Sequence, residues 1–214
     1  PRNVVSGDFY WCGTQNGMNM MAAVDCTGHG VPGALMSMIG IDKLNEAVAG
    51  NLTNPSAILS FLNTGIKTTL QQRDNSSGSQ DGMDIAICCF DFKKKILHFA
   101  GAQRPLWLIR NDELFEYKAT KVSVGGTTSN TQKFATHDIP IQKNDSVYFF
   151  TDGFADQFGG AEGKKMKTKN FRELLLSMQT IPFLEHEKFL DEKLTQWQAN
   201  FEQVDDILVI GIKV

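Results

Sequence analysis

The sequence predicts an α+β fold in which antiparallel sheets are stacked and carry helices on one or both sides. Short apolar strands between Asp84 and Thr151 are joined by polar turns too short for parallel crossovers, so they pair antiparallel. Helical stretches come before and after that region, and a last apolar strand runs from Ile207 to Val214. Runs of strands segregated from runs of helices belong to layered α+β architectures.

The elements follow in order. Phe9 to Cys12 and Asn19 to Asp25 read as strands around a turn at Asn16-Gly17. Pro32 opens a helix, because its fixed φ and missing N–H suit a first turn. Leu35, Ile39 and Val48, with Met36 and Leu44, form its apolar side, and Gly50 ends it. Asn54-Pro55 reads as a cap and a first-turn proline. Ile58, Leu62, Ile66 and Leu70 then recur at spacing four. The strands Asp84 to Phe92, Ile96 to Gly101, Leu106 to Arg110 and Leu114 to Tyr117 read as a meander. Phe134 to Ile139 and Ser146 to Thr151 continue it. Phe171, Leu174, Leu175 and Met178 mark one helix; Leu190, Leu194, Trp197 and Phe201 mark another. The final strand is apolar on both faces and is therefore expected at the centre of a sheet. Arg73 to Gly82 and Ser123 to Gln132 are polar, turn-rich surface loops.

With 214 residues, 42% hydrophobic and 21% charged, the chain has an ordinary globular composition and can bury a sizeable core. A net charge of -3 argues against nucleic acid or a polybasic membrane anchor. No run spans a membrane and no signal peptide is visible. Cys12, Cys26, Cys88 and Cys89 lack CxxC spacing and read as reduced thiols of a cytoplasmic protein. The scattered His29, His98, His137 and His186 offer no zinc site. The start at Pro1 suggests the C-terminal part of a longer protein.

Most acidic side chains are solvated, but a few aspartates sit where buried strands meet loops. Asp8 begins a strand after Gly7, and Asp25 ends one before a glycine-rich turn. Asp152 follows the apolar Val147 to Phe150, and Asp205 and Asp206 open the last strand. If these strands share a core, their ends converge. Carboxylates crowded together without a Lys or Arg in the same motifs repel one another, and a divalent cation removes that repulsion. Oxygen-only ligands select Mg²⁺ or Mn²⁺. Taken singly, each aspartate also reads as a turn or cap residue.

GDFYW (Gly7 to Trp11), AVDCTGHGVPGALMSMIG (Ala23 to Gly40), AGAQRPLWLI (Ala100 to Ile109), FFTDGFAD (Phe149 to Asp156) and VDDILVIGI (Val204 to Ile212) occur in that order. Together they resemble the metal-dependent Ser/Thr protein phosphatases of the type 2C superfamily, and more narrowly its bacterial SpoIIE-type branch. The resemblance covers nearly the whole chain. It implies a single catalytic domain over 1–214, built as a four-layer α-β-β-α sandwich, with a binuclear Mn²⁺/Mg²⁺ centre. Asp8 and Asp25 would be ligands, Asp25 bridging both ions. The Cys26 carbonyl would add an oxygen, and Asp152 and Asp205 would complete the site. Asp156 matches the position of a weaker third metal, which Asp81 or Asp84 could join. A metal-bridging hydroxide would attack phosphorus in line. His29 is then a candidate general acid for the leaving alkoxide, or else a helix cap. Arg2 is a loose candidate for holding the phosphate, or a frayed surface residue. The implied substrate is a serine-phosphorylated protein such as an anti-sigma-factor antagonist, under control of an upstream sensory or regulatory domain.

Rival readings are weaker. Gly28 to Gly33 spells GxGxxG, with Glu46 downstream, but Asp25 would repel a pyrophosphate and the later strands are not βαβ repeats. Ala34 and Leu35 stand where a P-loop needs Lys and Ser/Thr. Neither Cys26 nor Cys88-Cys89 is followed by the arginine that a cysteine phosphatase requires. The rival from another class is a phosphatase-like domain without activity that binds partners, with the basic runs Lys93 to Lys95 and Lys164 to Lys169 as possible contacts.

Overall fold

The computed structural model describes residues 1–72 and 80–214; the predicted loop from Arg73 lies, as far as Ser79, outside the described residues. The chain opens with the hairpin of β1 (Phe9–Gln15) and β2 (Met18–Cys26). Asn16 (φ 52°) and Gly17 (φ 77°) both take left-handed backbone, as a two-residue type I′ turn requires. Helix α1 (Gly30–Ala49) starts two residues ahead of Pro32 and has Gly50 as its C-cap residue. It buries Gly33, Met36, Ser37, Gly40, Leu44 and Ala47, whereas the predicted Leu35 is exposed beside Val31 and Met38. Small residues at positions 33, 37 and 40 let the helix lie close on the strands below, which rotates its apolar face away from Leu35. In α2 (Pro55–Thr69) the Asn54 side chain accepts from Ala57 N at 3.0 Å, the expected cap.

The strands that follow are β3 (Gly82–Asp91), β4 (Ile96–Ala102), β5 (Leu106–Arg110), β6 (Glu113–Tyr117), β7 (Val124–Gly125), β8 (Thr136–Pro140) and β9 (Ser146–Phe150). After the short α3 (Gly153–Asp156) come β10 (Phe158–Gly159), β11 (Lys164–Lys165), α4 (Lys167–Ser177), α5 (His186–Gln198) and β12 (Val209–Lys213). One sheet has the order β1-β2-β3-β4-β8, with β7 also on β3; a second has the order β12-β9-β5-β6, and β10 and β11 pair apart from both. All these strand pairs are antiparallel.

The expected meander is corrected here. The turn Gln103–Arg104–Pro105 does not fold β5 back onto β4 but carries the chain into the second sheet. Gln103 (φ 61°) donates to Thr120 O at 2.8 Å, which pulls the backbone out of the first sheet. β8 then returns beside β4, and β9 lies beside β5. The stretch expected as a plain surface loop contains β7, whose Val124 is buried. Phe201 lies beyond α5 and is exposed.

Burial alternates with the strand period and stacks four layers. Met20, Ala22 and Val24 of β2 and Ile85, Ile87 and Cys89 of β3 face α1 and α2. Ala23, Ala86, Cys88 and Phe90 face Leu106, Leu108, Val147 and Phe149 across the two sheets. Trp107, Ile109, Tyr148 and Phe150 face Phe171 and Leu175 of α4. This is the α-β-β-α sandwich. Cys88 and Cys89 project to opposite faces, and all four cysteines are free. The last strand is at an edge, not the centre. It is apolar on both faces because one packs on the first sheet and the other under the helices: Leu208 and Ile210 join the inter-sheet core, Ile207 and Val209 the helix-facing one. No described helix is long and apolar enough to cross a membrane.

Antiparallel pairing sets the position of the site. The starts of β1, β3, β5 and β12 and the ends of β2, β4 and β9 all fall at one end of the sandwich.

Candidate metal centre

That end gathers the aspartates singled out in the sequence. Asp8 precedes β1, and Asp25 of β2 lies directly opposite Asp84 of β3. Asp152 follows β9, while Asp205 and Asp206 precede β12. Glycines bring the segments close: a Cβ on Gly33 would stand 2.4 Å from the Gly28 carbonyl oxygen, and one on Gly7 2.5 Å from the same atom. Gly28 (φ 86°) and Gly30 (φ 66°) make the left-handed turn into α1.

The two adjacent aspartates have different tasks. Asp206 is buried and accepts from Arg2 N at 2.6 Å and Gly7 N at 2.7 Å. It ties the segment carrying Asp8 to the last strand, and these bonds hold its carboxyl below the usual range against burial. Asp205 is pushed up by burial and then by Asp152 and Asp206. Asp206→Ala leaves amides without acceptors, at about 1–3 kcal/mol for a buried group. We expect a Tm loss of about 5 °C in chelator, whereas Asp205→Ala leaves Tm unchanged or higher; thermal denaturation of both variants checks this.

The remaining carboxyls are crowded. Burial, reinforced by Asp206, Asp205 and Asp152, raises Asp8 to about 6 despite a hydrogen bond from Thr151. Burial and then Asp8, Asp152 and Asp84 raise Asp25 to about 8, against the opposing Arg104. Asp8 Oδ2 is buried without a hydrogen-bond partner. Like charges facing each other across a strand pair, as Asp25 and Asp84 do, are destabilising unless compensated.

Part of the compensation comes from a residue that the sequence reading did not place here. Arg104 Nη2 stands 3.0 Å from Asp25 Oδ2, 2.9 Å from Asp84 Oδ2 and 2.7 Å from Asp152 Oδ2. The motifs that carry the aspartates hold no basic partner, as read from the sequence, but the fold brings one to them from another segment. An arginine in a Gln-Arg-Pro turn reads as solvated; the signal was its place at the strand end where the aspartates gather. Of the two residues offered for the third-metal position, Asp84 is the one facing this cluster. Its Oδ1 accepts from Ser123 Oγ at 2.5 Å, whereas the Asp81 carbonyl accepts from Gln72 at 2.6 Å.

Other candidates lie as follows. Asp156 pairs with Lys165 at 2.7 Å. Cys26 ends β2 with its thiol buried and pushed up to about 12, mainly by burial, so its carbonyl rather than its sulfur is the donor to consider. His29 occupies the N-cap position of α1, exposed, and its side chain makes no capping bond. Arg2 is anchored through its backbone by Asp206, and its charge acts on Asp205.

Among the described residues no group of three or more His, Cys, Asp or Glu side chains is already set at metal-ligating geometry; Arg104 Nη2 stands among Asp25, Asp84 and Asp152 instead. The donor set nonetheless fits a hard cation. It is all oxygen, short of positive charge, and contains a buried carboxylate oxygen with nothing to bind.

The sequence model of the Stage II sporulation protein E (SpoIIE) family matches residues 16–214, so Asp8 precedes the matched span. No curated protein sequence matches the chain. The SiaA-PP2C domain of Pseudomonas aeruginosa is 28% identical, with a TM-score of 0.88 over 100% of this chain and 83% of that one. The RsbU and RsbW domains of Rv1364c from Mycobacterium tuberculosis share the fold at 20% identity, with a TM-score of 0.76 over 99% of this chain and 56% of that one. RsbX, determined in complex with magnesium, shares it at 15% identity, with a TM-score of 0.63 over 97% of this chain and 86% of that one. The sandwich thus has its counterpart in a PP2C phosphatase domain, and the chain belongs to the SpoIIE family of PP2C-type serine/threonine phosphatases.

Proposed function

We propose that this chain hydrolyses phosphoserine and phosphothreonine on a partner protein at a pair of divalent ions, Mn²⁺ or Mg²⁺. Asp8, Asp25, Asp152 and Asp205 would hold them, with Asp25 shared between the two and the Cys26 carbonyl as a further donor. One observation carries this reading: carboxylates from separate segments crowd at one end of the sandwich, with a buried oxygen left unpartnered. Such ions, when bound, lower the pKa of a water and neutralise charge on the phosphoryl oxygens.

The chain's own groups supply the rest. Asp206 holds Asp8 in place through Gly7. Asp84 is nearer the cluster's chemistry than Asp156, which must first give up Lys165 to serve a third ion. His29, exposed and free of a capping bond four residues after Asp25, is available to protonate the leaving alkoxide. The free cysteines suit a cytoplasmic setting. Rv1364c joins its RsbU domain to an RsbW domain. SpoIIE from Bacillus subtilis carries a regulatory domain beside its PP2C phosphatase domain. We take a phosphorylated anti-sigma-factor antagonist as the substrate and an upstream regulatory domain as the control, as the family resemblance implies.

A second reading, a phosphatase-like module that only binds partners, is favoured by the arginine lodged among the carboxylates. Release of phosphate from a serine-phosphorylated protein decides between them. The proposal expects release that requires Mn²⁺ or Mg²⁺ and stops in chelator. No release at any Mn²⁺ concentration favours the binding module.

A further inference from the structure

Two arginines, one in the turn before β5 and one at its last residue, meet carboxylates in contrasting ways. Arg110 grips Asp145 with two nitrogens, Nε at 2.8 Å from Oδ1 and Nη2 at 2.6 Å from Oδ2, and its Nη2 also donates to Pro140 O at 2.8 Å. That is the two-pronged pairing a guanidinium makes when it holds structure together. Arg104 does otherwise. Three Oδ2 atoms converge on its single Nη2, and its buried Nε has no acceptor. A buried donor left unpaired is costly, so this pose is held by charge rather than by fit.

The surroundings confine any movement to the side chain. Arg104 N donates to Ala102 O at 2.7 Å, and Thr120 N donates to Gly101 O at 2.9 Å. A Cβ on Gly101 would lie 2.3 Å from the Arg104 carbonyl oxygen, so the turn is closely seated. The fixed backbone thus presents a long side chain whose charged end sits where the carboxylate oxygens of Asp25, Asp84 and Asp152 meet. A dication at that point brings twice the charge and leaves no donor orphaned.

We propose that Arg104 is a resident counter-cation that competes with divalent ions for the carboxylate cluster. Metal loading then requires the guanidinium to swing out, and Arg104 sets the ion concentration at which the centre fills. This rests on the metal-centre reading above and adds to it an internal competitor. Without metal, Arg104 keeps Asp25 and Asp84 together; with metal, it is displaced toward the mouth of the site.

The test is calorimetric titration of Mn²⁺ into the wild type and into Arg104→Met, which keeps bulk and removes charge. The expected result is Mn²⁺ binding tightened by about tenfold, the scale of one partly buried ion pair. The metal-free Tm should fall and the Mn²⁺-induced rise in Tm should grow. Equal or weaker Mn²⁺ affinity in the variant overturns the competition while leaving the metal centre intact. Absence of Mn²⁺ binding in both proteins overturns the metal centre itself. If Arg104→Met is unfolded in chelator, Arg104→Gln is titrated beside it. Folding recovered on addition of Mn²⁺ supports the competition, and unfolding of both variants that Mn²⁺ does not rescue counts against it.

Discussion

Asp25→Asn is expected to lower metal-dependent phosphate release by about a thousandfold or more, the scale of removing a main electrostatic element from a site, while raising the Tm of the metal-free protein. The amide has nearly the volume of the carboxylate, so packing between β2 and β3 survives. What changes is charge. Asp25 faces Asp84 across the strand pair and is repelled by Asp8 and Asp152, with Arg104 opposing. Neutralising it relieves that repulsion but removes the one carboxylate proposed to serve both ions. Opposite movements of activity and stability are the mark of a residue kept for function against the fold's interest. Phosphate release and thermal denaturation in chelator read the two effects. A variant as active as wild type contradicts the bridging role, and a sharply lowered Tm identifies a structural one.

Raising the pH is expected to destabilise the metal-free protein, by about 5 °C or more in Tm between pH 5 and 8.5. Asp8 at about 6 and Asp25 at about 8 both lie above the value of 3.8 for an unperturbed aspartate. Between that value and their own, the folded protein binds more protons than the unfolded chain, and stability then falls with rising pH. The loss begins near pH 4 and is complete above pH 8. Asp206, lowered by its backbone bonds, has the opposite sign, but its effect is confined to pH below about 4. Millimolar Mn²⁺ should flatten the profile, because cations replace the protons that the carboxyls otherwise need. A Tm in chelator that is level from pH 5 to 8.5 contradicts the crowding on which this rests.

Local features were the legible ones. Asn16-Gly17 specified its turn because few residues accept two consecutive left-handed conformations. Asn54-Pro55 specified a helix start because the cap is made within one turn of chain. The aspartates were legible as a set because each stands where an apolar strand meets a loop. Features decided by tertiary contact were not legible. The turn at Gln103–Arg104–Pro105 has the length of a hairpin, and only its bonds to Thr120 reveal that it changes sheets. The apolar faces of β12 suggested a central strand, yet they reflect the layers above and below it rather than neighbours on both sides. Arg104 was missed for the same reason: its place after a strand end becomes a signal only once strand pairing shows that this end meets the carboxylates. Asp206 could not be told from Asp205 until its bonds to Arg2 and Gly7 were in view.

The central claim is that the carboxylates at this end of the sandwich are gathered to hold metal. Anomalous scattering from crystals equilibrated with Mn²⁺ tests it most directly. The account predicts two manganese peaks among Asp8, Asp25, Asp152 and Asp205, with the Arg104 side chain turned away from Asp25 and Asp152. A map without manganese at saturating concentration, and with Arg104 still seated against Asp25, Asp84 and Asp152, would contradict it.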